Sequence, residues 1–204
     1  MHILTNGPAG AKDTLVLAHG AGGAMDTPFL TTIAERVASL GIRVVRFEFR
    51  YMAARRDGKR SGAADREPVL LDAWRRVIDE LGGGSSVVIG GKSLGGRMAS
   101  MVADEVGARG LVCLGYPFHP PSQPQRLRTR HLQHLRTPAL FVQGERDPFG
   151  NSSEVPRYEL SHAIRIEWMA DGNHSFKPRM KSGATEEGNL ERAAELIGDF
   201  IRLL

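Results

Sequence analysis

The chain has 204 residues, 41% of them hydrophobic and 25% charged, with a formal net charge of +4. That composition belongs to an ordinary globular protein with a core that buries roughly 70% of its unfolded surface, so a single domain over 1–204 is expected. It excludes a low-complexity chain, and no apolar run reaches the about 18 residues of a membrane span.

The opening "HILT" reads as an edge strand, and "TLVLAH" (14–19) follows as a buried one. Phe29, Ile33, Val37 and Leu40 then recur at helical spacing, with Pro28 suited to a first turn and Gly41 to a stop. After the strand "IRVVRFEF" (42–49), the basic cluster Arg50 to Arg60 reads as a solvated loop. Leu70, Trp74, Val77, Ile78 and Leu81 give a second helical stripe ending at Gly82. The run "SVVIGG" (86–91) is a strand, and a helix is expected from just after Ser93 to about Val106. "GLVCLGY" (110–116), "ALFVQG" (139–144) and "IRIEWM" (164–169) are further strands. The last helix carries Leu190, Ala194, Ile197, Ile201 and Leu204 on one face. Continuous Val/Ile/Leu strands alternating with helices predict a doubly wound, mostly parallel α/β sheet. The interval 117–138 is too short for a cap domain.

The stretch "SSVVIGGKSLGGRM" (85–98) admits two chemistries. As the end of a phosphate-binding loop, Gly91-Lys92-Ser93 would need a glycine five residues before Gly91, but Ser86 stands there. The intervening Val87, Val88 and Ile89 suit an extended strand that cannot curl around phosphates. As G-x-S-x-G, the same residues form a strand, a sharp turn and a helix, with Gly91 and Gly95 small enough to permit a strained Ser93.

A serine nucleophile needs a base, the base an orienting acid, and the oxyanion its donors. Asp147 follows the strand 139–144 and His174 follows 164–169, in the order serine, acid, histidine and at the same sheet edge as Ser93. Asp171, three residues before His174, is a rival acid ranked below Asp147, because a turn before Gly172 explains it more simply. The amide of Leu94 is one expected oxyanion donor. The His19-Gly20-Ala21-Gly22-Gly23 turn supplies the other, assigned to Ala21 with Gly22 as the alternative. Lys92 reads either as an attraction for anionic substrates or as a packed or salt-bridged side chain. His19 reads as a structural hydrogen-bonding group. His2, His119, His131, His134 and His162 read as solvent-facing, with His119 also able to line the pocket. Met25, Tyr51, Met52 and Phe118 read as an acyl pocket or as core.

The pieces "AHGAGGAMDTPF", "FEFRYM", "GGKSLGGRMAS", "LGYPFHPP", "FVQGERDPFG" and "GNHSF" cover most of the chain. Together they resemble a small α/β-hydrolase of the dienelactone-hydrolase-like group. The branch they resemble most includes testis-expressed hydrolase-like proteins and a subunit of a chromatin acetylation complex. The resemblance implies an α/β-hydrolase fold without a large cap, and Ser93, Asp147 and His174 as the triad. Dienelactone hydrolases use a cysteine where this chain has Ser93.

The expected activity is cleavage of a small or medium carboxylic ester or thioester. It needs no cofactor and no metal, and no nucleic-acid or membrane partner is expected. Basic clusters here lack the interleaved aromatics of a nucleic-acid surface. The alternative is a non-catalytic hydrolase-like scaffold that binds a protein or small ligand. One cysteine, Cys113, in an apolar run fits a buried thiol in a reducing cytoplasm.

Overall fold

Strands joined by a helix or a long connection return the chain to the same end of the sheet, and so run parallel. In the computed structural model, which describes residues 2–58 and 63–204, such strands make up most of a seven-stranded sheet. Its strands are β1 (Ile3–Asn6), β2 (Thr14–Ala18), β3 (Arg43–Phe47), β4 (Val88–Lys92), β5 (Gly110–Leu114), β6 (Ala139–Gly144) and β7 (Ile164–Met169). The order is β1-β3-β2-β4-β5-β6-β7, and only β1 is antiparallel to its neighbour. This is the α/β-hydrolase architecture without a large cap.

The alternation of side chains splits the core into two layers. Leu15 and Leu17 of β2 face one side, with Ile33 and Val37 of α1 (Pro28–Ser39) and Ile197 and Ile201 of α5 (Glu186–Arg202). Val16 and Ala18 face the other, with Trp74 and Val77 of α3 (Glu67–Glu80) and Met98 and Val102 of α4 (Leu94–Val102). Strand β3 lies on one side of β2 and β4 on the other, so the chain reverses its winding direction there. The loops leaving β2 and β4 therefore diverge and open a crevice at the carboxyl edge.

Two expectations need correction. The stretch Arg50–Arg56 is a helix, α2, and not a solvated loop. Tyr51 and Met52 anchor it, while the Arg56 guanidinium forks onto buried Glu48 at 2.6 and 3.0 Å and also meets Asp26 at 2.9 Å. Positions 59 and 60 of that basic cluster lie outside the described residues. Helix α4 ends at Val102, short of the expected Val106, and turns carry the chain on to Gly107.

Candidate active site

The turn between β4 and α4 is built by steric necessity. Ser93 sits at φ 51° and ψ −112°, a conformation that strains any residue with a side chain. A Cβ at position 91 would lie 2.3 Å from the Ala18 carbonyl oxygen, and one at 95 would lie 2.4 Å from the same atom. Both glycines of the motif are thus pressed against the end of β2, where the His19–Gly23 turn begins. The elbow and that turn are held in one register.

His19 secures the turn. Its Nε2 accepts from the Phe49 amide at 3.1 Å, and its Nδ1 donates to the Gly20 carbonyl at 2.7 Å. The Tyr51 hydroxyl donates to the Ala21 carbonyl at 3.1 Å. Burial pushes the His19 pKa down, which keeps the ring neutral and able to accept from Phe49. His19 thus has the structural role expected of it.

Ser93 and His174 line one cavity of about 400 Å³, together with Ala21, Phe29, Leu30 and Phe149. Asp147 follows β6 and is fully buried. His174 Nδ1 meets Asp147 Oδ2 at 2.7 Å, and since a carboxylate only accepts, Nδ1 carries the proton and Nε2 keeps its lone pair. Asp147 also accepts from the Phe149 amide at 2.9 Å and from Gln143 Nε2 at 3.0 Å. The Phe149 ring lies 4.4 Å from the His174 ring, centroid to centroid. Burial lowers the His174 pKa, Asp147 opposes that through its hydrogen bond, and the Lys92 cation adds to the lowering. The balance favours a neutral imidazole.

Leu94 is the first residue of α4, so its amide has no helical acceptor and lies at the positive end of a nine-residue helix. Ala21 and Gly22 both line the cavity, so the structure brings either candidate donor to its wall. Asp171, the rival acid, is tied elsewhere: its carboxylate holds Arg179 at 2.5 Å and Arg146 at 2.8 Å, and these arginines pull its pKa down to about 2. Lys92 lines the cavity and is nearly buried, with no carboxylate bonded to it among the described residues. Cys113 is fully buried behind the elbow.

Of the two readings of Met25, Tyr51, Met52 and Phe118, the structure bears out core, and the apolar cavity wall is Phe29, Leu30 and Phe149. The solvent-facing expectation fails at two histidines. His119 is buried, with Nε2 3.5 Å from Glu154, and His131 is half-buried on the Ser100 hydroxyl at 2.9 Å. His2, His134 and His162 are exposed as expected. Gln143 is a site residue that motif order does not single out. Its amide bonds the Tyr116 carbonyl, Asp147 and the Gly150 carbonyl, and its oxygen accepts from the Tyr116 amide. The one signal for it is a polar residue near the end of an otherwise apolar strand, because such a group needs partners when buried. A larger recess of about 770 Å³ beside α2 and α3 brings no nucleophile and base together among the described residues.

The elbow at the winding reversal, the histidine–carboxylate pair beyond later strands and the lidless sheet define an α/β-hydrolase. The sequence profile of the alpha/beta hydrolase domain family matches residues 11–202, and the chain belongs to that family. Its fold is similar to that of an alpha-beta serine hydrolase homologue from Coxiella burnetii, with 23% identity and a TM-score of 0.71 over 99% of this chain and 90% of that one. A serine hydrolase without lid from Xanthomonas campestris is similar at 18% identity and TM-score 0.69, over 98% and 88% of the two chains. Dienelactone hydrolase from Anabaena variabilis is similar at 19% identity and TM-score 0.70, over 98% and 90%. No helix among the described residues is long and apolar enough to cross a membrane.

Proposed function

We propose that this hydrolase-family protein cleaves a small or medium carboxylic ester or thioester through an acyl-serine. The observation that carries the reading is that Ser93, on its strained turn, and His174, already bonded to Asp147, line the same cavity.

Ser93 Oγ attacks the carbonyl carbon while His174 Nε2 takes its proton. The carbonyl π electrons move to oxygen, and the amides of Leu94 and Ala21 receive the oxyanion. The tetrahedral intermediate collapses, the bond to the alkoxide or thiolate breaks, and His174 returns the proton to that leaving group. Water, deprotonated by His174, then attacks the acyl-serine and releases the acid, with the proton passing back to Ser93. Asp147 holds the imidazole tautomer and stabilises its charged form. A cavity of about 400 Å³ with an apolar wall of Phe29, Leu30 and Phe149 suits an acyl group of modest size. The sequence pieces further support the testis-expressed hydrolase-like branch, and the lone buried thiol supports a cytoplasmic setting.

A fluorophosphonate probe tests the reading. The wild-type protein should be labelled at Ser93, with labelling lost in Ser93→Ala and strongly reduced in His174→Ala, and an ester and thioester panel should then give turnover. A folded wild-type protein that stays unlabelled would overturn it in favour of the scaffold alternative.

A further inference from the structure

A second cleft, of about 410 Å³, opens where the loop after β5 meets α4. It is lined by Arg97, Arg126, Leu127, Arg128, Arg130 and His131, and it shares no lining residue with the Ser93 cavity.

The charge in this cleft is unbalanced. Arg97 Nη2 donates to Glu67 Oε2 at 2.9 Å, while its Nε is buried without a partner. No carboxylate among the described residues is bonded to Arg126, Arg128 or Arg130. Residues 59–62, outside the described set, are Lys-Arg-Ser-Gly and hold no acid. Four guanidinium groups therefore share one bonded carboxylate, Glu67. Burial and the neighbouring charges of Arg97 and Arg126 both push the Arg128 pKa down, a sign of mutual repulsion. His131 cannot supply a counter-charge and is itself kept neutral, its pKa lowered to about 4 by burial and by Arg97.

The backbone beneath these side chains is fixed. The Arg128 amide donates to the Phe118 carbonyl at 2.7 Å, and the Tyr116 hydroxyl donates to the Arg128 carbonyl at 3.0 Å. Thr129 and Leu132 are buried on either side of Arg130. The arginines thus project from an ordered platform, so little backbone entropy would be lost on binding.

We propose that this cleft binds a phosphate-bearing small molecule. Planar guanidinium forks match the oxygens of a phosphate, and several of them together favour a group of charge two or more. The volume admits more than a single inorganic ion. Single-stranded nucleic acid is disfavoured because, among the described residues, no aromatic side chain other than the His131 ring lines the cleft for base stacking. The proposal is independent of catalysis at Ser93.

The test is calorimetric titration of the full-length protein with inorganic pyrophosphate at near-physiological salt, with sodium sulfate as a second anion. Saturable binding of pyrophosphate is expected, tighter than that of sulfate. Arg126→Gln/Arg130→Gln alters two exposed side chains and should weaken it by about tenfold or more. Arg128→Lys keeps the charge but loses the fork, and should weaken it as well. Ser93→Ala should bind as the wild type does, which separates this site from the hydrolase reading. No saturable pyrophosphate binding, or binding unchanged in the double variant, would overturn the proposal. So would binding seen only for a single-stranded oligonucleotide and lost at physiological salt, the mark of a diffuse basic surface.

Discussion

The Lys92 ammonium donates a 2.5 Å hydrogen bond to the backbone carbonyl of His174, joining the residue before Ser93 to the loop that carries the imidazole. It also lies 5.3 Å from the centroid of the Phe29 ring. Neither partner is an anion. Burial accordingly lowers the Lys92 pKa to about 7, with Asp147 alone opposing the shift.

A first prediction concerns the pH dependence of turnover. The Lys92 cation helps keep His174 unprotonated. In Lys92→Met the imidazole should take up its proton at higher pH, so the acid limb of kcat/KM moves upward. Initial rates on a p-nitrophenyl ester between about pH 5 and 9 would show this, and an acid limb that stays fixed or moves down would contradict it.

The same lysine predicts a stability signature. The unfolded chain holds this proton up to its ordinary value of 10.5, whereas the folded chain releases it near 7. Between those values the unfolded state binds more protons, so folding stability gained from this group rises with pH across that window. The full rise is on the order of 3–5 kcal/mol before relaxation is counted. Urea unfolding of wild type and Lys92→Met at about pH 7 and about pH 10 should show the wild type gaining on the variant at the higher pH. A stability difference that is the same at both would contradict it.

Relief of backbone strain gives a third expectation. Ser93 holds φ 51° and ψ −112°. Ser93→Gly should stabilise the fold by about 1–3 kcal/mol while abolishing probe labelling, and Ser93→Ala should abolish labelling without that gain. Equilibrium unfolding of both variants separates the two effects.

Asp147 accepts from His174, the Phe149 amide and Gln143. Asn in its place presents an N–H to at least one of those donors. Asp147→Asn should therefore lower kcat by about 10⁴-fold and cost about 1–3 kcal/mol of stability. Gln143→Leu should also reduce kcat, by a smaller factor, because it removes one support of the carboxylate. Steady-state kinetics beside thermal unfolding would read both.

Local sequence determined much of this protein because its central strands are fully buried. Near-continuous apolar runs need no partner to be recognised, and 139–144 is a strand over the residues that the pattern alone marks; the partly buried edge strand 164–169, where Arg165 and Glu167 alternate with apolar residues, also keeps its expected bounds. Parallel strands also all end at one edge, so residues just past them, such as Asp147 and His174, fall in the same neighbourhood as Ser93 by chain order alone. Long-range packing lies beyond such patterns. The helix at Arg50–Arg56 has a weak apolar stripe and is anchored partly by Glu48 and Asp26, which lie outside it. The choice of Phe29, Leu30 and Phe149 over Met25, Tyr51, Met52 and Phe118 as cavity wall depends on where separate loops converge. The isolation of Lys92 from carboxylates, and the crowding of Arg97 onto Arg126, Arg128 and Arg130, arise between segments distant in the chain. Periodicity and motif order report on a residue's own segment; electrostatics and burial depend on the neighbours that only the folded chain brings.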